Sequence, residues 1–513
     1  MKILSRDIAA LFEKPNSKFF AYLLHGMDAG LIDERAKELA LLFSDNLNDP
    51  FSVTRLIGKE VQVDPALLAD ALNALPLAGT MRVVLLNGTV TELMSAIKSN
   101  ILDDLSQIFF GLNYSPYYDA KQIYSYYRQF DQTFGVPLQK HWKSFPQIKK
   151  HKTKLKIGYV SPDFKNHSME SFLKPVLENH NREKFEIYAF AELSQEDNTT
   201  LEYKSLVDQW VPTQGFTDWE MAQKIRELEI DVLVDVAGHT KGNRLGVFAY
   251  KPAPISLSWL GFGYTTGLSA IDYFLTDNVV VPQGSEHLFS EKIWRINDYC
   301  YCCYEQKAKM GKVGPLPALA KGYITFGTLT RSIRINDRVI KVWAEILKRV
   351  KNSKLVINSS DFNHYKTKRM IISKFKEYEV DSDRLEIGYQ SPPWDLMRQI
   401  DIALDCFPHN SGTTLMEHLF MGNPFITFSN RPGVGKIGSS ILSTLGHSEW
   451  VATSEDEYIQ KAVDLASDIK KLNTIRGSLR KEMEQSPIMD HRGFVKKLEK
   501  VYKQMWEEKL VIK

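Results

Sequence analysis

Short runs of β-branched and aromatic residues alternate with amphipathic stretches along most of this chain. Leu155–Val160, Phe185–Phe190, Asp231–Val236 and Ile255–Leu260 read as buried strands, and helical stretches such as Asp218–Leu228 separate the first three. The pattern dissolves into a loop-like stretch, KAKMGKVGPLPALAKG, at Lys307–Gly322, and then restarts. Tyr323–Phe326, Leu355–Ile357, Leu385–Ile387, Ile400–Leu404 and Phe425–Phe428 form the second set of strands, with helices such as Asp337–Val350 between them. Strand and helix in alternation predict βαβ units and a parallel sheet. Two such runs joined near residue 310 predict an α/β chain of two doubly wound halves facing a cleft. Ligands of such sheets bind beyond the carboxyl ends of the strands.

The first 150 residues follow other rules. Phe19–Leu24 reads as a buried strand, followed by HGMDAG and an amphipathic helix from Leu31 to about Phe43. A second helix runs through Pro65–Leu75, and Arg82–Leu86 is a second short strand. From Thr89 to about Leu138 the pattern is helical only. Met94, Ile97, Ile101, Leu105 and Ile108 recur at helical spacing, and aromatics then crowd SPYYDAKQIYSYYRQF. The lysine-rich Lys140–Lys154 reads as an exposed connector. The expected division is a partial α/β piece over 1–88, a helical segment and linker over 89–150, and the two Rossmann-like halves over 151–310 and 311–513.

Composition narrows the class without naming the chemistry. A chain of 513 residues holds roughly two to four domains. Lys+Arg 65 against Asp+Glu 62 leaves a net charge of +3, which excludes a basic nucleic-acid coat. At 43% hydrophobic residues the chain can bury a sizeable core, which excludes a disordered tail protein. No apolar run reaches the ~18 residues of a membrane span. Asp7 and Glu13 interrupt the apolar N-terminus, so it does not read as a signal peptide. Four cysteines cannot build a disulfide framework. Cys300, Cys302 and Cys303 cluster in YCYCCYE, and Cys406 lies far away, with no paired CxxC spacing for zinc. Buried thiols in a reducing cytoplasm, with no metal and no cofactor, are the expectation.

Four loops directly after strands carry the candidate chemistry. They are SPDFKNHS (Ser161–Ser168), AGHTKGNR (Ala237–Arg244), GTLTRSIR (Gly327–Arg334) and CFPHNSGTTLMEH (Cys406–His418). Each sets small residues beside polar donors and a basic or imidazole group. In the fourth, Thr413 and Thr414 open a helix, Leu415–Met421, directly after Asn410, Ser411 and Gly412. Free N–H groups and two hydroxyls at a helix N-terminus suit a pyrophosphate, and an ordinary N-cap is the alternative. Arg331 and Arg334 offer countercharge, or else lie on a solvated helix face. His167 and His239 stand at strand ends, where a histidine is as readily structural as catalytic. His409, His418 and His447 lean to the structural side. Ser439 and Ser440, after RPGVGKIG, open another helix as a cap or a second anion contact. No GxGxxG or Walker sequence follows a strand, and no GxSxG elbow is present.

LKIGYVSPDFKNHS, DVAGHTKGNRLGVFAYKPAPISLSWLGFGYTTGLSAIDYFLTD, YITFGTLTRSIRINDRVIKVWAEIL and IDIALDCFPHNSGTTLMEHLFMGNPFITF carry a resemblance. Through them residues from about 90 to 510 resemble the catalytic region of the O-linked N-acetylglucosamine transferase family, which includes the plant SPINDLY proteins. SNILDDLSQIFFGLNYSPYYDAKQIYSYYRQF is similar to the helices before that family's core. The resemblance implies a GT-B fold with the nucleotide-sugar held mainly by the C-terminal half. It also implies metal-free, inverting transfer to Ser or Thr hydroxyls of proteins, with UDP-N-acetylglucosamine as the expected donor. By the same resemblance, His167 matches the active-site histidine after the first strand and is the candidate acid–base. Gly238, His239, Thr240, Asn243 and Arg244 match the bacterial GHTxxNR motif, with His239 on the sugar and acceptor side. Thr413 and Thr414 match the threonines at the donor pyrophosphate. Arg334 stands where many members have a phosphate-contacting lysine, and Arg331 where glutamine or asparagine is common. Gly412 replaces a histidine of the animal members, Glu417 an aspartate, and Pro393 or Trp394 another histidine. Those departures leave the sugar open, since some relatives move fucose from GDP-fucose.

KFFAYLLHGMDAGLIDERAKELA and PALLADALNALPLAGTMRVVLLNG resemble a second, unrelated family. Residues 1–88 are similar to the start of the DNA polymerase III delta subunit, the clamp-opening member of the clamp loader. HGMDAG lacks the Lys-Ser/Thr of a nucleotide loop, and the clamp-wedging pair falls at Leu77–Ala78, reduced at its second position. The tetratricopeptide array that usually precedes the transferase core is not found in these residues. Two resemblances in one chain point to a gene fusion or a misassembled reading frame. A replication binding module, with a sliding clamp or clamp loader as partner, and an inactive nucleotide-sugar-binding homologue are the competing readings.

Overall fold

Every strand of the two large sheets runs parallel to its neighbours, as runs buried on both faces require. The computed structural model describes residues 29–43, 46–47, 53–63, 71, 83–87, 106–145, 148, 152–297, 300–306 and 309–511. It divides into two compact units, Met1–Leu112 and Asn113–Lys513. The expected strand Phe19–Leu24, most of the helix Pro65–Leu75, the pair Leu77–Ala78 and the stripe from Met94 to Leu105 lie outside the described residues. In the first unit the amphipathic helix spans Ala29–Leu41. Strand β1 (Val53–Ile57) pairs in parallel with β2 (Val83–Asn87), from Val53 opposite Val83 to Ile57 opposite Asn87. Sequence reading passes over β1 because VTRLI is short and carries an arginine.

The second unit holds both halves. The first is a seven-stranded sheet: β3 (Leu155–Ser161), β4 (Phe185–Ala191), β5 (Gln209–Pro212), β6 (Val232–Asp235), β7 (Ile255–Ser258), β8 (Tyr273–Asp277) and β9 (Lys292–Asn297), in the order 5-4-3-6-7-8-9. The second is six-stranded: β10 (Thr325–Leu329), β11 (Lys354–Asn358), β12 (Leu385–Gly388), β13 (Ile402–Leu404), β14 (Phe425–Phe428) and β15 (Val451–Ala452), in the order 12-11-10-13-14-15. Each order reverses once, between β3 and β6 and between β10 and β13. Such a reversal opens a crevice at the strand ends. The four expected loops follow these four strands and no others. Most of the strands not foreseen are poor in apolar residues or very short: QWVP, KIWRIN and VA.

Three further features set the cleft. The helix Ala120–Phe130, closed by a capping box of Asp119 and Gln122, buries Ile123, Tyr127 and Phe130. Gly267, at φ +82, lies against the Tyr127 backbone, where a Cβ would come within 2.6 Å of its carbonyl oxygen. The lysine-rich connector is anchored where it is described, because its aromatic and cationic groups find partners on the first half. Trp142 donates to the Ala249 carbonyl at 2.8 Å, and Lys152 reaches Asp231 at 2.5 Å. The last helix, His491–Val511, returns to the first half, and Phe494, Leu498, Tyr502 and Trp506 join that half's core. The 311–513 span therefore does not form one half by itself.

The halves also touch directly. Asp277, at the end of β8, accepts the Ser440 hydroxyl of the second half at 2.6 Å, and the same hydroxyl oxygen accepts the Cys300 N–H at 3.2 Å. The Gly433 N–H donates to the Val280 carbonyl at 2.9 Å. Among the described residues no helix is long and apolar enough to cross a membrane. All four cysteines are buried and unpaired. A chain beginning at Asn113 should keep a single cooperative thermal transition. One beginning at Gln139 loses the buried side of Ala120–Phe130 and should aggregate, as light scattering during heating will show. Equal melting of the two chains would place that helix outside the core.

Candidate functional site

The loop after β13 is organised by one carboxylate. Asp405 is buried at 0% exposure and accepts the N–H groups of Cys406 and Ser411, each at 2.9 Å, and the Thr427 hydroxyl at 2.8 Å. Burial raises its pKa to about 7. With Ser411 fixed, Gly412 leads into the helix Thr413–Phe420. The N–H groups of Thr413 and Thr414 and both hydroxyls have no hydrogen-bond partner among the described residues. Such N–H groups carry the positive end of the helix dipole. A Cβ at Gly412 would meet nothing within 4 Å, so the approach to those groups is open.

Cations stand around this helix end. Arg334, in the turn after β10, lies 5.6 Å from the Tyr114 ring centroid, and its Nε is buried without a hydrogen-bond partner. His409 stacks on the same Tyr114 ring at 4.4 Å and 6°. Its Nδ1–H donates to the Asn410 carbonyl at 2.8 Å, while burial and the charges of Arg334, Arg431 and Arg331 push its pKa well down. Arg331 is exposed, and its charge also acts on His167 in the first half. The loops after β3 and β10 therefore face one another. Glu417, one turn into the helix, is a carboxyl whose pKa burial alone raises to about 7.

On the first half, His167 keeps 37% of its side chain exposed. Its Nδ1 accepts the Met169 N–H at 3.3 Å and lies 3.6 Å from the Asp163 carboxylate. The loop after β6 is built inward. Asp235 accepts the Ala237 N–H at 3.1 Å, the Gly238 N–H at 3.0 Å and the Ser258 hydroxyl at 2.8 Å. Gly238 takes φ +54, where a Cβ would strike Phe262 at 2.4 Å.

His239 is not placed as a catalytic group. It is 0% exposed, caged by the rings of Tyr127, Phe130 and Phe262, and its Nε2–H donates to the Thr266 carbonyl at 2.7 Å. Burial lowers its pKa to about 4, so it stays neutral. Asn243 donates to the Thr240 carbonyl at 2.9 Å, and Thr240 to the Ala237 carbonyl at 2.9 Å. Arg244 spends its donors on Asp218 at 2.9 Å, Glu192 at 2.6 Å and the Phe216 carbonyl at 2.9 Å. These residues shape the crevice wall, with the hydrogen bonds named here turned to protein partners. Ser440 belongs to the contact between halves already described. His418 is buried against Asn423, and His447 stacks on Trp450 between Glu449 and Glu482.

Sequence reading missed Asp405, Asp235, Tyr114 and Arg431. The aspartates stand at the end of apolar runs, in DVLVD and DIALD, which is the signal that was there to find. Arg431 is buried, donates to the Asn113 carbonyl and has its pKa lowered to about 10. Among the described residues, no group of three or more His, Cys, Asp or Glu side chains is arranged to hold a metal ion.

Residues 136–307 and 315–498 match the family model described as glycosyl transferase family 41. The SPINDLY protein of Arabidopsis thaliana, named "Probable UDP-N-acetylglucosamine--peptide N-acetylglucosaminyltransferase", is 33% identical over 379 residues, which cover 72% of this chain and 41% of that one. The barley counterpart is 34% identical over 404 residues, 77% of this chain and 43% of its own. The chain thus spans about two fifths of the length of these curated relatives. A solved variant of the O-GlcNAc transferase of Thermobaculum terrenum superposes with a TM-score of 0.77 at 27% identity, covering 94% of this chain and 90% of that one.

Glu417 gives the site a pH signature. Its folded pKa, about 7, lies above the ordinary 4.5, so the folded state holds the proton more tightly than the unfolded chain does. That contribution is complete below the unfolded pKa and is lost as pH rises through about 7. Glu417→Gln has no charge to bury and should gain about 2 kcal/mol over the parent between about pH 5 and pH 8, seen as a growing difference in melting temperature. A difference independent of pH would show an ordinary carboxylate.

Proposed function

The chain belongs to glycosyl transferase family 41, and from that premise we propose that it is an inverting, metal-independent protein O-glycosyltransferase using a UDP-sugar, with UDP-N-acetylglucosamine as the donor. One observation carries the reading: a helix end with unpartnered N–H groups and hydroxyls, beside an arginine whose Nε is unsatisfied, at the reversal point of the second sheet. A nucleoside diphosphate fits it because the charge that grows on the leaving group meets donors already in place. Thr413, Thr414 and Arg334 take the pyrophosphate in this reading, and Arg331 adds charge from the rim. Glu417, on the same helix and one turn further in, is assigned to the nucleoside in this reading.

The acceptor is a Ser or Thr hydroxyl of a protein. Its oxygen bonds to the anomeric carbon, the bond from that carbon to the phosphate oxygen breaks, and the electron pair leaves with UDP. Glycosylated hydroxyl, UDP and one proton are the products. The names of the family's relatives and of the solved neighbour support N-acetylglucosamine as the sugar. His167 is the imidazole of the four loops that reaches the cleft surface, and it stands opposite the phosphate side.

Arg334→Ala should weaken UDP binding by about 1.5–3 kcal/mol, the range for a hydrogen bond to a charged group, measured by calorimetry or thermal shift. Unchanged affinity would remove Arg334 from the donor site. Transfer to a protein acceptor should persist in excess chelator. Loss of activity that magnesium restores would contradict the metal-free reading.

A further inference from the structure

His167 has one ring nitrogen already committed. The Met169 backbone N–H points its hydrogen at Nδ1 from 3.3 Å, and a hydrogen on Nδ1 would meet it head-on. The Asp163 carboxylate lies 3.6 Å from the same nitrogen, beyond hydrogen-bond reach. In the neutral ring the single hydrogen is therefore on Nε2, and the Nδ1 lone pair is taken. Nε2 has no hydrogen-bond partner among the described residues, and the side chain is 37% exposed. We propose that His167 works as a fixed hydrogen-bond donor through Nε2–H to an oxygen of the bound substrates, not as the group that takes the acceptor's proton.

The surroundings hold the ring in that state. Burial and the cations of Arg331 and Lys165 disfavour the imidazolium, and only Asp163 favours it, so the pKa is lowered. Asp163 is itself part-buried, with its pKa raised by burial. The loop is pinned on both sides: Asp163 N–H donates to the Ser161 hydroxyl at 3.0 Å, and Asn166 N–H to Asp197 at 2.8 Å. The Met169 N–H is thus the positioning group, fixing which nitrogen carries the hydrogen and how the ring is turned. A neutral donor keeps its hydrogen through the reaction, so the acceptor's proton leaves by another route. The oxygen it meets is either on the departing diphosphate, toward Arg331, or on the acceptor hydroxyl.

The inference rests on the transferase reading, and the full chain tests both separately. A side-chain amide supplies an N–H but cannot take up a proton at neutral pH. His167→Gln should keep transfer within about fivefold of the parent, while His167→Ala loses about 10- to 100-fold. The pH profile of kcat/KM should be the same in the parent and the glutamine variant. Equal losses of ~10²–10⁴ in both variants, with the low-pH limb of the profile gone, would make His167 the base and overturn the proposal. UDP affinity of His167→Ala identifies the oxygen: weakened for the diphosphate, unchanged for the acceptor. If the parent shows no UDP-dependent melting shift, the transferase reading itself fails. Should the variants not fold, nitrogen-15 shifts of the parent's histidines decide. Hydrogen on Nε2 supports the donor role, and hydrogen on Nδ1 at neutral pH excludes it.

Discussion

Loop N–H groups at the ends of buried strands have no neighbouring strand to bond to, and an unpaired one costs ~1–3 kcal/mol. Buried carboxylates answer this need throughout the second unit, and twice they do so in the same arrangement. β6 follows Asp231 and ends on Asp235, and β13 lies between Asp401 and Asp405. The leading aspartate of each pair accepts an N–H at the start of the adjacent strand, Lys156 at 2.9 Å and Thr325 at 2.8 Å. The trailing aspartate gathers the N–H groups of the loop that follows, together with a hydroxyl from the next strand, Ser258 or Thr427. The crevice walls are thus hung from two carboxylates, and every candidate group on those loops takes its place from them.

This internal symmetry explains what the sequence made legible. Long β-branched runs mark most strands, and the four polar loops follow the four strands that flank the two reversal points. The pairing of aspartates was hidden, because DVLVD and DIALD read as apolar strands with polar edges and no repeat of residues marks them. Side-chain direction was hidden as well. GHTKGNR holds a histidine, a threonine, an asparagine and an arginine, all plausible toward a ligand, and the fold turns their hydrogen bonds inward. Whether a polar side chain faces a ligand or its own loop depends on partners distant in sequence, such as Thr266, Asp218 and Glu192. Thr413 and Thr414 escaped that fate because a helix terminus leaves its own donors unsatisfied by geometry, and Arg334 did so only at its Nε.

The two halves divide the work unevenly. The second half gathers the arginines and the open helix end, while the first offers the accessible imidazole of His167 and closes His239 behind aromatic rings. Tyr114 lies outside either sheet, between His409 and Arg334 of the second half. The helical stretch before the first sheet is therefore part of the site and not a leader to it. Its Tyr114, Tyr127 and Phe130 are buried as deeply as core residues, while Tyr117 is exposed.

The last helix crosses back to the first half, so the chain passes between the halves twice. The two passages lie side by side: the Tyr304 N–H donates to the Ile488 carbonyl at 2.9 Å, and the His491 imidazole meets the Tyr304 carbonyl at 3.0 Å. Sliding or twisting one half against the other would shear those bonds. Any widening of the cleft must also part Ser440 from Asp277 and Gly433 from Val280, so the two halves are held at more than the crossing itself.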